Sequence, residues 1–199
     1  MSSLIYIHGF NSSPNSTKAR IIGNSLDILG FSSDNYIVPD LNYEPDQAIA
    51  KLVDCIETLL ARQEDIYLIG SSLGGFYATY LAEKYGLKTV LVNPAIRPYE
   101  LLMDYLGPNK NIYTGEEYDI SEEHVAQLKA LDISSVTSPS DYLVLVQTDD
   151  ETLDYRQATN KFWQSPLVIE YGGNHSFEDF QSKLILMKQF FSPPTQALS

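Results

Sequence analysis

The sequence predicts a single α/β domain over its 199 residues, with a mostly parallel six-stranded sheet and helices on both faces. Three observations predict it. Short apolar runs alternate with stretches of helical periodicity along most of the chain. Those runs are apolar throughout rather than alternating, as expected for strands buried on both faces. The composition, 44% hydrophobic and 20% charged, suits a globular domain that buries a substantial core.

Leu4 to His8 is a buried-strand pattern ending at Gly9, and Asn11 to Asn15 is a loop by composition. Ser16 to Leu29 reads as a helix, with Ala19, Ile22, Leu26 and Leu29 at helical spacing and Gly30 as its stop. Tyr36 to Val38 is a short strand closed by Pro39. Asp46 to Arg62 is an amphipathic helix whose apolar stripe is Ile49, Leu52, Val53, Ile56, Leu59 and Leu60. Asp65 to Gly70 reads as a strand, Gly75 to Tyr85 as a helix, and Lys88 to Asn93 as a strand stopped by Pro94.

From Ala95 to Pro139 the rhythm breaks. This stretch carries no strong strand pattern and is too long for a plain connection. It reads as an inserted cap over an active site, with one helix N-capped by Ser121. Tyr99, Leu101, Leu102, Met103, Tyr105, Leu106, Tyr113 and Tyr118 cluster in it. Packing within the cap accounts for most of them, and an apolar wall for an acyl chain is the sharper reading. The strand Asp141 to Gln147, a helix from Tyr155 to Trp163, the strand Pro166 to Tyr171 and a helix from Phe177 to Phe191 complete the pattern. A mobile tail is expected over 192–199.

The formal net charge of -13 argues against a general nucleic-acid binder, which needs basic surface against phosphates. No run reaches the roughly 20 apolar residues that cross a bilayer. The N-terminus lacks the pattern of a signal peptide. The single Cys55 excludes an intramolecular disulfide and reads as a plain packed residue. These features together predict a cytoplasmic protein. No H-E-x-x-H, C-x-x-C or phosphate-loop motif is present, so neither a metal nor a cofactor is expected.

The chemistry centres on Gly70-Ser71-Ser72-Leu73-Gly74. It reads G-x-S-x-G between a strand and a helix, the setting of a nucleophile elbow. The sharp turn forces the serine into a strained backbone and requires glycine on either side. Ligands of such sheets collect at the carboxyl ends of the strands. Asp149, Asp150 and Glu151 come after the fifth predicted strand, and His175 after the sixth. The order Ser, acid, His is that of the α/β-hydrolases, so the expected fold is a compact α/β-hydrolase. Of the three histidines, His8 precedes the serine and His124 lies in the insertion, which leaves His175 as the base. Asp149, Asp150 and Glu151 all remain candidates for the acid. The oxyanion donors are expected to be the backbone N–H groups of Leu73 and Phe10, with His8 bracing the Phe10 loop.

Five blocks carry a resemblance: LIYIHGFNSSP from Leu4 to Pro14, GSSLGGFYAT from Gly70 to Thr79, VNPAIRP from Val92 to Pro98, DETLDYRQ from Asp150 to Gln157, and GGNH from Gly172 to His175. Together they resemble the YqiA/YcfP-type esterases, small bacterial α/β-hydrolases, over nearly the whole chain. The resemblance implies esterase or thioesterase activity on small-molecule acyl substrates. It also implies Asp150 as the acid beside Ser72 and His175, with Asp149 standing where the family carries glycine and remaining the alternative. The first two strands of larger α/β-hydrolases are missing. An acyl-CoA thioesterase, an acyltransferase and a non-catalytic binding protein on the same scaffold are the rival readings. Oligomeric state and natural substrate are not legible in the sequence.

Overall fold

Leu4, Ile5, Tyr6 and Ile7 are all buried, because the strand that holds them is covered on both faces. The computed structural model describes residues 1–111 and 115–192. Tyr113 and all but the first residue of the expected tail lie outside the described residues. The chain runs through β1 (Ser2–Ile7), α1 (Thr17–Gly23), α2 (Leu26–Leu29), β2 (Tyr36–Ile37), α3 (Pro45–Ala61), β3 (Asp65–Ser72), α4 (Leu73–Tyr85) and β4 (Lys88–Pro94). Then come α5 (Pro98–Leu102), β5 (Gly107–Lys110), β6 (Glu117–Ile120), α6 (Glu122–Ala130), β7 (Tyr142–Gln147), α7 (Tyr155–Lys161), β8 (Leu167–Glu170) and α8 (Leu184–Phe191).

Among the described residues, six strands form one sheet in the order β2-β1-β3-β4-β7-β8, and each of its pairings is parallel. Alternate residues feed opposite faces. Ile5, Ile7, Leu68, Leu91, Val144 and Val146 pack under α3, α4, α6 and α7. Leu4, Tyr6, Ile69, Val90, Val92, Leu143 and Leu145 pack under α1, α2 and α8. A fully buried aliphatic side chain such as Leu52 or Ile56 of α3 contributes about 1.5–3 kcal/mol. Among the described residues, no helix is long and apolar enough to cross a membrane.

Several elements differ from the sequence pattern. The helix expected from Ser16 to Leu29 is broken into α1 and α2. Gly23, Asn24 and Ser25 are weak helix formers, and they sit at the break. On α3, Ala48 is buried while Leu60 is exposed, so the helix is turned slightly from the predicted stripe. The insertion holds an antiparallel hairpin, β5 with β6, in a stretch with no strong strand pattern. Its alternation is short: Tyr118 and Ile120 point inward between exposed Glu117 and Asp119. The last helix begins later than Phe177, through a 3-10 turn at Phe180–Lys183. Phe177 and Asp179 take left-handed backbone angles (φ 63° and 52°), which a helix cannot contain.

The parallel register sets the ends of the central strands level. Ile7 of β1 pairs with Gly70 of β3, so the loop after β1 emerges beside the turn that carries Ser72. Gln147 of β7 pairs with Glu170 of β8, which brings the loops after these two strands together.

Candidate active site

Ser72 closes β3 and immediately precedes α4, with φ 57° and ψ -125°. Side chains rarely adopt this conformation, and it costs on the order of 1–3 kcal/mol. The turn closes only because its flanking residues lack side chains. A Cβ on Gly70 would stand 2.4 Å from the Gly74 carbonyl oxygen, and one on Gly74 would stand 2.0 Å from that of Ile7. Leu73 is the first residue of α4, so its N–H has no partner within the helix. The loop after β1 passes close by: a Cβ on Gly9 would lie 3.0 Å from Ser72 Cβ and 3.4 Å from its Oγ. Phe10 is next in the chain, and Phe10, Ser72 and Leu73 share the wall of one cavity.

His8 braces this loop from beneath. Its Nε2 accepts the Leu41 N–H at 3.3 Å, so the proton sits on Nδ1, which donates to the Gly9 carbonyl at 3.0 Å. Burial lowers its pKa, consistent with this neutral form. His124 is also occupied structurally, accepting the Ser121 N–H at the start of α6.

His175 lies on the loop after β8, where Gly172 and Gly173 both take positive φ (83° and 77°). Its Nε2 is 3.0 Å from Ser72 Oγ, and its Nδ1 is 2.9 Å from Asp150 Oδ2 and 3.0 Å from Oδ1. A carboxylate only accepts, so Nδ1 carries the proton and Nε2 presents its lone pair to the serine hydroxyl. The Asp150 side chain is 2% exposed. Its Oδ1 also accepts the N–H groups of Thr152 (2.9 Å) and Leu153 (2.8 Å). The structure thus brings Ser72, His175 and Asp150 into one hydrogen-bonded chain. Asp149 is exposed and receives the Thr148 hydroxyl instead. Glu151 accepts the backbone N–H of His175 at 2.9 Å, and that bond holds its carboxyl below the usual range. Asp154 N-caps α7 by accepting the Arg156 N–H.

Sequence reasoning missed the scaffold beneath the histidine. Asn93, the next-to-last residue of β4, has φ 40°; its Nδ2 donates to the Asn174 carbonyl, and its Oδ1 accepts the Gln147 N–H. Buried Gln147 accepts the N–H groups of Asn174 (3.1 Å) and Glu178 (2.8 Å) and donates to the Glu178 carbonyl and the Glu170 carboxylate. Polar residues at the ends of otherwise apolar strands were the available signal. Lys18, on α1, was also missed and had no such signal.

Two cavities open at Ser72. One, of about 500 Å³, is walled by Phe10, Leu73, Leu101, Leu102, Tyr105, Leu128 and Leu153 among others. The second, of about 600 Å³, is more polar and includes Lys18, Ser12, Asn174, His175 and Ser176. Of the aromatic cluster in the insertion, Tyr105 and Tyr118 meet Phe10 edge-on at 5.6 and 6.2 Å, and Tyr118 stacks on Tyr43 at 4.3 Å. The Tyr118 hydroxyl donates to Asn11, and Tyr99 donates to Asp132 at 3.0 Å. The insertion therefore packs directly on the loop that carries Phe10. Among the described residues, no group of three or more His, Cys, Asp or Glu is placed to hold a metal ion.

A model of an uncharacterised protein family, UPF0227, matches residues 3–192. UPF0227 proteins of Vibrio parahaemolyticus and Vibrio atlanticus are 23% and 25% identical over 194 residues, covering 94% of this chain and 98% of theirs. Among solved structures, Est1E from Butyrivibrio proteoclasticus with ferulic acid bound superposes with a TM-score of 0.75 at 15% identity, over 96% of this chain and 88% of that one. Mouse alpha/beta hydrolase domain-containing protein 10 gives 0.65 at 18% identity, over 94% and 86%. The fold is that of the α/β-hydrolases.

Proposed function

The chain belongs to the UPF0227 family, that of the YqiA/YcfP-type proteins its sequence resembles, and on that premise we propose that it is a serine hydrolase cleaving carboxylic esters or thioesters of acyl groups. The observation that carries the reading is the continuous chain from Ser72 Oγ through His175 to buried Asp150, with contacts of 3.0 and 2.9 Å.

In this reading Ser72 Oγ attacks the acyl carbonyl while its proton passes to His175 Nε2. Asp150 holds the imidazole in the required tautomer and stabilises the imidazolium. The N–H groups of Leu73 and Phe10 receive the negative oxygen, each worth about 10²- to 10³-fold in rate. His175 then protonates the leaving group, and water repeats the sequence in reverse on the acyl-enzyme. The apolar cavity lined by Leu101, Leu102 and Leu128 suits the acyl chain. The insertion acts as a cap by covering that chain and by packing Tyr105 and Tyr118 on Phe10.

The test is an activity screen over nitrophenyl esters and acyl thioesters of graded chain length, with Ser72→Ala as control. Hydrolysis that disappears with the serine is expected. Turnover that survives Ser72→Ala refutes the proposal, as does inertness toward the whole series.

A further inference from the structure

The two cavities that meet at Ser72 differ in chemistry and in their access to the histidine. His175 lines the polar cavity and not the apolar one. A tetrahedral adduct on Ser72 collapses when its leaving atom takes the proton from His175 Nε2, so the leaving group must sit on the histidine's side. The polar cavity is therefore the leaving-group site.

Among the described residues, Lys18 is the one lysine or arginine in its wall. Its Nζ donates to the Ser176 carbonyl at 2.8 Å, and no described carboxylate lies within the 4.0 Å of an ion pair. Burial lowers its pKa to about 8, against the opposing pull of Asp150. Lys18 is half-buried, and its one protein hydrogen bond leaves further ammonium N–H donors that an anion in the cavity would take. Glu178 and Asp179 also line the cavity, but both are exposed, and Glu178 already accepts the Asn174 side-chain amide at 2.9 Å.

We infer that the leaving alcohol or thiol carries a carboxylate or phosphate, and that Lys18 binds it in the polar cavity. The inference rests on the serine-hydrolase reading. The reaction balances without a further reagent. The bond from the acyl carbon to the leaving oxygen or sulfur breaks as that atom takes the proton Ser72 gave up. Water then releases the acid and restores the serine.

The experiment compares two chromogenic butyryl esters, 3-(butyryloxy)-4-nitrobenzoic acid and its neutral carboxamide. For each enzyme the ratio of kcat/KM, acid over amide, is measured in wild type, Lys18→Met and Lys18→Arg. Each ratio is taken within one preparation, so losses of folded protein cancel. The ratio is expected to fall about tenfold or more in Lys18→Met, the scale of a hydrogen bond to a charged group, and to stay closer to wild type in Lys18→Arg. Equal ratios in wild type and Lys18→Met overturn the inference and leave the hydrolase reading intact. Failure of wild type to cleave the acid ester faster than the amide, or to cleave either, overturns the inference; the hydrolase reading falls only if the whole chain-length series of esters and thioesters is inert as well.

Discussion

Asp150→Asn changes one atom, and the hydrogen bonds around that atom dictate the effect. Asp150 Oδ1 accepts two backbone N–H groups, from Thr152 and Leu153, at 2.9 and 2.8 Å. The asparagine oxygen must keep that position, since an NH₂ there would face two donors. The NH₂ therefore takes the place of Oδ2, 2.9 Å from His175 Nδ1. It donates, so Nδ1 must become the acceptor and the imidazole proton moves to Nε2. That proton then faces Ser72 Oγ, and the serine has no base. With the side chain 2% exposed, water cannot replace the lost acceptor. A wrong tautomer of this kind costs about 10⁴-fold in kcat, or about 5 kcal/mol of transition-state stabilisation. Asp149→Asn, on an exposed side chain, is expected to change the rate no more than about twofold. The assay is kcat on the best nitrophenyl ester, with circular dichroism to confirm that both variants fold. Equal losses in the two variants, or an Asp150→Asn enzyme within about tenfold of wild type, would refute the tautomer mechanism.

Three further outcomes are expected. Gln147→Leu leaves the N–H groups of Asn174 and Glu178 without their acceptor, so urea denaturation should show a loss of about 2–4 kcal/mol together with a lower kcat from a displaced His175; unchanged stability would count against the scaffold. Gly74→Ala places a methyl 2.0 Å from the Ile7 carbonyl oxygen, against backbone that cannot yield, and should cost about 3 kcal/mol or more in thermal or urea unfolding. The preference for the anionic ester should fall as pH rises through about 8, because Lys18 is charged below that value and neutral above it. Its neighbours in that test are Asp150, through its field, and Tyr6, His175, Glu178 and Asp179 on the cavity wall. In the proposed mechanism His175 acts as base toward both esters, so its own titration cancels in the ratio. A preference that is flat from about pH 6 to about pH 10 would exclude Lys18 as its source.

The strands and the elbow were legible because their signals are local. Apolar runs such as Tyr142 to Val146 read as buried strands because they are too short for a helix and rich in valine, and glycines two positions either side of Ser72 are demanded by contacts that any such turn makes. The insertion was legible only as an interruption. Its hairpin rests on two inward residues, Tyr118 and Ile120, too few for a periodic pattern. The break after Gly23 and the late start of α8 arise from backbone angles that local propensity barely records. Within the site, elimination was enough to single out His175. Asp149, Asp150 and Glu151 were not separable by order and spacing, because all three fall on one loop; the family resemblance pointed to Asp150, and the fold shows that its side chain turns inward. Lys18 was invisible for a related reason. A lysine on a half-buried helix reads as ordinary surface until the cavity beside it is seen.

The most direct test of Ser72 as the nucleophile is covalent. A fluorophosphonate probe reacts only with a serine made nucleophilic by its neighbours. Intact mass and peptide mapping of the treated protein should show a single adduct on Ser72, absent in Ser72→Ala and strongly slowed in His175→Ala. An adduct that persists in Ser72→Ala, or an enzymatically active preparation that takes no label, would contradict it.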